Sequence, residues 1–220
     1  QQAMPITLGF KISTWIDELD RCLERMAQGR ERIFVGQFAG AVGTMASLEQ
    51  NGPRVQKLLF ERLNLAAPKI SWFATRDRLA EFTFDLAMIC GAVGRMGNEV
   101  YNEQRSEVNE LAEGYAQGKV GSSTMPHKRN PFLPGRLAGR GRIAGTLVMR
   151  AMQCLENTNE RDCRTLCIEP YHLKEICCLA DGTLDIALEL FGQMEVHEDQ
   201  IGHNLEILQG LIYSEALMMR

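Results

Sequence analysis

Residues Arg76 to Glu103 read RDRLAEFTFDLAMICGAVGRMGNEVYNE. Their apolar positions are Leu79, Phe82, Leu86, Ile89, Val93, Met96 and Val100, and the spacing alternates three and four throughout. That alternation is the seam of a helix that packs along its length against other helices. At 1.5 Å per residue the helix is about 40 Å long, more than one small domain buries alone. Outward from this segment the same alternation returns twice. It runs through Leu8, Ile12, Trp15, Leu19, Cys22 and Met26, and through Leu137, Gly141, Ala144, Val148, Ala151 and Leu155. A looser helical pattern covers His172 to Phe191, and shorter ones cover Pro53–Leu63 and Glu198–Leu208. Strand character is confined to Arg32–Phe38, and Gly36, Gly40 and Gly43 make that stretch a break between helices. The fold class is therefore all-α, a bundle of long helices. Gly91, Gly94 and Gly97 in one helix, and Gly139, Gly141 and Gly145 in another, each cost about 1 kcal/mol against Ala. A close approach of helix backbones offsets that cost, and contact between subunits is the expected place for it.

The bulk composition narrows the function classes. The 220 residues are 45% hydrophobic and 24% charged, with a formal net charge of −4. That balance offers no basic surface for nucleic acid or membrane. No run of 18 apolar residues marks a membrane span, and no secretory leader is visible. The chain opens on Gln1 without a Met, so an upstream segment is expected. Seven cysteines, an odd number without framework spacing, imply reduced thiols and a cytoplasmic location. Cys163, Cys167, His172 and Cys177 lack the tight pairs of structural zinc sites. The thiols read as buried and inert, and neither a metal nor a cofactor is expected.

The helical period fails from about Gly114 to Pro134. This stretch carries Pro126, Pro131 and Pro134, and contains Gly121-Ser122-Ser123-Thr124-Met125-Pro126-His127-Lys128-Arg129-Asn130-Pro131. A loop this long between helices is usually functional or mobile, and Gly114, Gly118 and Gly121 favour mobility. The serine hydroxyls offer a base or nucleophile. Lys128 and Asn130 offer a clamp for a carboxylate or phosphate. The order of a nucleotide P-loop is absent. On residue chemistry alone, a solvated basic loop at His127-Lys128-Arg129 is an equal reading.

The undecapeptide resembles the signature of the fumarase/aspartase superfamily, G-S-S-x-M-P-x-K-x-N-P, at every fixed position. Gln1 to Pro5 resembles the end of the family segment T-H-x-Q-x-A-x-P, and Gly36 to Thr44 resembles its Gly-rich turn. The resemblance extends from Gln1 to at least Asn204. It implies a lyase that removes a proton next to a carboxylate and then expels a group from the adjacent carbon, often releasing fumarate. It makes Ser122 the base, activated by Lys128 and main-chain N–H groups. Lys128, Asn130 and Gln1 correspond to substrate-binding positions. The family's acid-side histidine precedes Gln1 and so lies outside this sequence; His127 occupies a variable position. The family also implies a homotetramer whose active sites are shared between subunits, acting on small dicarboxylates without cofactor, nucleic acid or membrane. Residues 1–195 then form the central bundle with its loop at 114–134. Residues 196–220 begin a small C-terminal helical domain, and this chain alone is an incomplete enzyme.

Two branches of the family are nearest. Glu160-Arg161-Asp162 resembles the start of the adenylosuccinate lyase pattern E-R-D-x-S-x-S-S-x-E-R and makes Arg161 a substrate-binding candidate. Leu166 and Pro170 depart from that pattern, and Trp72 stands where that branch carries a glutamine. Trp72 and Glu169 resemble instead the 3-carboxy-cis,cis-muconate cycloisomerase branch, whose flanking aromatics are replaced by Leu166 and Pro170. Core packing is an equal reading of Trp72. The leading function is β-elimination on an adenylosuccinate-like dicarboxylate adduct. A lactonising cycloisomerase and a non-catalytic relative of the lens-crystallin kind are the alternatives.

Overall fold

The computed structural model describes residues 2–115, 122, 124–125 and 127–219. Four long helices dominate it. They are α1 (Leu8–Ile33), α3 (Asp77–Glu103), α4 (Phe132–Gln153) and α6 (Pro170–Gly192). Shorter helices are α2 (Gly52–Leu63), α5 (Cys163–Ile168), α7 (Glu198–Glu206) and α8 (Ser214–Met218). The all-α class holds, and each long helix follows an apolar period read above.

The helix ends have local causes. Thr7 Oγ1 accepts the Phe10 N–H at 3.1 Å and caps α1. Pro170 opens α6, where a missing N–H costs nothing. Asp162 caps α5, accepting the Arg164 N–H at 3.0 Å. Hydrogen bonds from the Arg164 side chain hold the Asp162 carboxyl well below the usual carboxylate range. Pro134 falls inside the first turn of α4, so the loop is shorter than its proline content implied. At the other end α4 stops at Gln153, and Leu155 lies beyond the helix although it continues the seam.

The chain divides into two compact units, and the division falls within the long helices. The first comprises Gln1–Leu19, Cys90–Arg142 and Asp181–Arg220. Its core holds Val93, Met96, Val100, Leu111, Leu137 and Leu190, with Trp15 against Phe191 at 5.9 Å between rings. Here α3 and α4 touch at their glycines. A Cβ on Gly141 would lie 2.8 Å from the Cys90 carbonyl oxygen and 3.1 Å from Gly94 Cα. The close approach at Gly94 and Gly141 is thus made within the chain, not between subunits as the sequence implied. Gly91 and Gly139 face open space. A two-residue strand β1 (Leu111–Ala112) pairs antiparallel with β2 (Glu195–Val196), an element too short for any sequence period to reveal.

The second unit comprises Asp20–Ile89 and Ile143–Ala180. Thr83, Leu147, Ile176 and His172 are buried in it. The segment after α1 makes a single parallel bridge, Val35 to Ala66, which is all that its strand character produces. The cysteines correct one expectation. Cys22, Cys90 and Cys154 are buried, whereas Cys163, Cys167, Cys177 and Cys178 are exposed on the outward faces of α5 and α6. No group of three metal-capable side chains occurs among the described residues. No helix among them is long and apolar enough to cross a membrane.

Candidate active site

The signature loop belongs to the first unit. Ser122 is half-buried, and its Oγ accepts the main-chain N–H of Met125 at 3.1 Å and of Thr124 at 3.4 Å. The Ser-Thr-Met order makes this turn locally: a short hydroxyl reaches N–H groups two and three residues ahead. Two such donors on one oxygen stabilise negative charge there. The turn continues with the Lys128 N–H donating to the Met125 carbonyl at 3.0 Å. Lys128 is exposed, and its ammonium has no carboxylate partner among the described residues. Asn130 is half-buried just before α4, and its carbonyl accepts the Phe132 N–H at 3.0 Å. Ser122 is thus linked to Lys128 through Met125, and Asn130 follows two residues later. Gln1, Gly118, Gly121, Ser123 and Pro126 lie outside the described residues. Gly114 does not supply freedom. It is buried, and a Cβ there would meet the Gln193 carbonyl oxygen at 2.0 Å.

Around the loop stand residues that the sequence reading missed. Glu113, buried next to β1, accepts the Leu133 N–H at 2.8 Å and so supplies the first turn of α4 with an acceptor. Gln104 and Glu195 contact the loop's two flanks. The only local signal for Glu113 is an acidic residue just ahead of the glycine; Gln104 and Glu195 carry none. A cavity of about 480 Å³ also lies in this unit. Thr7, Lys11, Glu103, Glu110, Asn204 and Tyr213 line part of it. Ser122, Lys128 and Asn130 do not, so its size has no bearing on the loop's chemistry.

Arg161 belongs to the second unit and has its own setting. Its guanidinium stands 4.8 Å from the centre of the Phe73 ring, and that of Arg76 stands 5.2 Å from it. Arg78 stacks on Trp72 at 5.4 Å. Arg76 is buried and pairs with Glu169 at 2.5 Å, though without hydrogen-bond alignment. Burial pushes the Glu169 carboxyl up, and Arg76 partly opposes this. The Trp72 indole N–H donates to the Gly36 carbonyl at 3.0 Å, and Gln37 Oε1 accepts the Trp72 main-chain N–H at 3.1 Å. Trp72 is thereby fixed to the Gly-rich turn, its one side-chain donor already engaged. Arg161 itself is exposed, a cation held in place by an aromatic ring and free at its outer edge.

Together the residues present a hydroxyl with two N–H donors, an exposed ammonium, and a separate aromatic-backed cluster of arginines. The lyase family's sequence profile matches residues 1–140. The chain is 39% identical over 99% of its length to N-acetyl-S-(2-succino)cysteine lyase of Dickeya dadantii, covering 48% of that protein. It is 38% identical over its full length to adenylosuccinate lyase of Methanocaldococcus jannaschii, again covering 48%. Its fold superposes on 3-carboxy-cis,cis-muconate lactonizing enzyme of Pseudomonas putida with a TM-score of 0.92 at 33% identity, over 100% of this chain and 48% of that one. The chain thus spans about half the length of the relatives it matches. With the complete signature around Ser122 and a profile match over more than half its residues, the chain belongs to the fumarase/aspartase superfamily of lyases.

Proposed function

We propose that the protein eliminates a heteroatom-linked group from a small succinyl adduct, with Ser122 as the base. The observation that carries this reading is the pair of N–H groups, of Thr124 and Met125, directed at Ser122 Oγ. A serine hydroxyl is a weak acid, and donors that stabilise its alkoxide make proton abstraction accessible. Lys128, exposed on the same turn, adds positive charge, and with Asn130 and Gln1 binds the substrate carboxylates. The Ser122 oxygen takes the proton from the carbon beside a carboxylate. The carbanion's electron pair then forms the C=C bond of fumarate, while the C–S or C–N bond breaks. The leaving atom keeps that bond's pair and receives a proton from an acid outside the described residues.

A compact S- or N-succinyl adduct fits better than a nucleotide. Leu166, Pro170 and Trp72 replace donors of the adenylosuccinate lyase pattern, and the Trp72 indole N–H is engaged by Gly36. Each missing donor leaves a polar substrate group unpaired, at about 1–3 kcal/mol. Arg161 binds a carboxylate in this reading. Trp72 and Glu169 favour a second reading, lactonisation of a carboxymuconate. Apolar side chains exposed on the long helices, among them Phe10, Ile16, Leu23, Ile143, Met149 and Leu188, support assembly into a homotetramer with shared sites.

The test is a panel of S-(2-succino)cysteine, its N-acetyl form, adenylosuccinate and 3-carboxymuconate on the full-length enzyme, followed by fumarate absorbance or loss of substrate. Fumarate release from the succinyl thioethers, reduced at least about 10²-fold by Ser122→Ala, is expected. Normal turnover in that variant removes Ser122 as base. Turnover of carboxymuconate alone selects the second reading. Inactivity on the whole panel fits the crystallin-like alternative.

A further inference from the structure

Two side chains outside the signature loop each reach both of its flanks. Gln104 follows the end of α3. Its Oε1 accepts the Glu113 N–H at 2.9 Å, and its Nε2 donates to the Arg129 carbonyl at 3.2 Å. Glu195 is in β2. One of its oxygens accepts the Tyr115 N–H at 3.1 Å, and the other faces Arg129 Nη1 at 3.4 Å, with His197 Nε2 at 3.6 Å. The Arg129 guanidinium also stacks on the Tyr115 ring at 4.6 Å. Every bridge therefore has one foot at residues 113–115 and the other at Arg129. Ser122 lies between the feet.

We infer that Gln104 and Glu195 are positioning residues for Ser122, tying together the two flanks of its loop so that the hydroxyl has one placement. This rests on the reading of Ser122 as the base. The partners are main-chain groups on both sides for Gln104 and on one side for Glu195, so they set where the backbone runs. The Glu195–Arg129 ion pair is largely exposed, with side chains 37% and 54% accessible, and contributes little to global stability. Its consequence is geometric. A base displaced by about 1 Å from its proton loses on the order of 10²-fold in rate. Bridges that fix Arg129, next to Lys128 and joined to Ser122 through the Lys128–Met125 and Met125–Ser122 hydrogen bonds, therefore act on turnover and leave folding nearly unchanged.

The test uses the full-length protein carrying Glu195→Ala, Glu195→Gln or Gln104→Ala. Hydrogen exchange is read in peptides covering 104–115 and 122–133. Kinetics are read as fumarate release from S-(2-succino)cysteine. In Glu195→Ala we expect at least about tenfold faster exchange at Tyr115 and, with it, at Thr124 and Met125, whose N–H groups Ser122 receives. We expect kcat to fall about tenfold with KM within twofold, and the unfolding midpoint to stay put. Glu195→Gln keeps an acceptor for the Tyr115 N–H and should recover most of the loss. Gln104→Ala should act like Glu195→Ala, with faster exchange at Glu113. Faster exchange at 113–115 with none at 124–125, or a KM increase with kcat intact, overturns the inference. If the wild-type protein releases no fumarate, the proposed function falls, and exchange at 124–125 alone decides whether the bridges position Ser122.

Discussion

Two glycines on one helix turn should respond oppositely to the same substitution. Gly139 and Gly141 both lie in the interior of α4, so replacing either with Ala gains about 1 kcal/mol of helix propensity. A Cβ on Gly139 meets nothing within 4 Å. On Gly141 it lies 2.8 Å from the Cys90 carbonyl oxygen, 3.1 Å from Gly94 Cα and 3.5 Å from Gly91 Cα. All three neighbours are backbone and cannot rotate away, so α3 and α4 must separate by a few tenths of an ångström along their glycine contact. Overpacking of that kind costs about 1–3 kcal/mol. Gly139→Ala should therefore stabilise the chain by up to about 1 kcal/mol, and Gly141→Ala should destabilise it by up to about 2 kcal/mol. Because the propensity gain is common to both, their difference isolates the packing cost. Urea unfolding followed by circular dichroism measures it directly, with unchanged m-values as the check on two-state behaviour. If Gly141→Ala proved as stable as Gly139→Ala, the close approach of α3 and α4 would be refuted.

Further consequences concern buried charge. Removing Arg76 leaves Glu169 buried without its cation, so Arg76→Met should cost about 3–5 kcal/mol, while Arg76→Met combined with Glu169→Gln should recover much of it. A double-mutant cycle in denaturant reads this, and simple additivity would contradict it. His172 is fully buried, and burial holds its pKa below the usual value. Below about pH 6.5 the unfolded chain then binds a proton that the folded chain resists. Stability should accordingly drop between pH 7.5 and 5.5, and by less in His172→Gln; equal slopes in the two proteins would rule out His172 as the source.

How much of this was readable before folding depends on how far apart in the chain the interacting groups lie. The long helices were legible because the alternation of apolar residues in Leu79–Val100 or Leu8–Met26 is a property of neighbours three and four apart. The signature turn was legible for the same reason: Ser122, Thr124 and Met125 are close in sequence, and the hydrogen bonds among them are local. The helix limits were less so. Leu155 continues its seam but falls beyond α4, whose first turn takes an acceptor from Glu113, about twenty residues away.

Tertiary structure alone decided the rest. Gly139 and Gly141 are indistinguishable as letters, and only the path of α3 separates a free surface from a backbone contact. Cys167 and Cys154 look alike in sequence, yet one is exposed and the other buried. Trp72 could be read as core or as site. Its bond to Gly36, 36 residues earlier, gives it a fixed place and leaves it no donor for a ligand. Gln104 and Glu195 carry no motif, because their work is to join groups that the chain brings together only after folding. Local periodicity and a contiguous motif specify helices and the turn at Ser122. The side chains that aim that turn come from distant segments, and no spacing rule in a linear sequence encodes such a meeting.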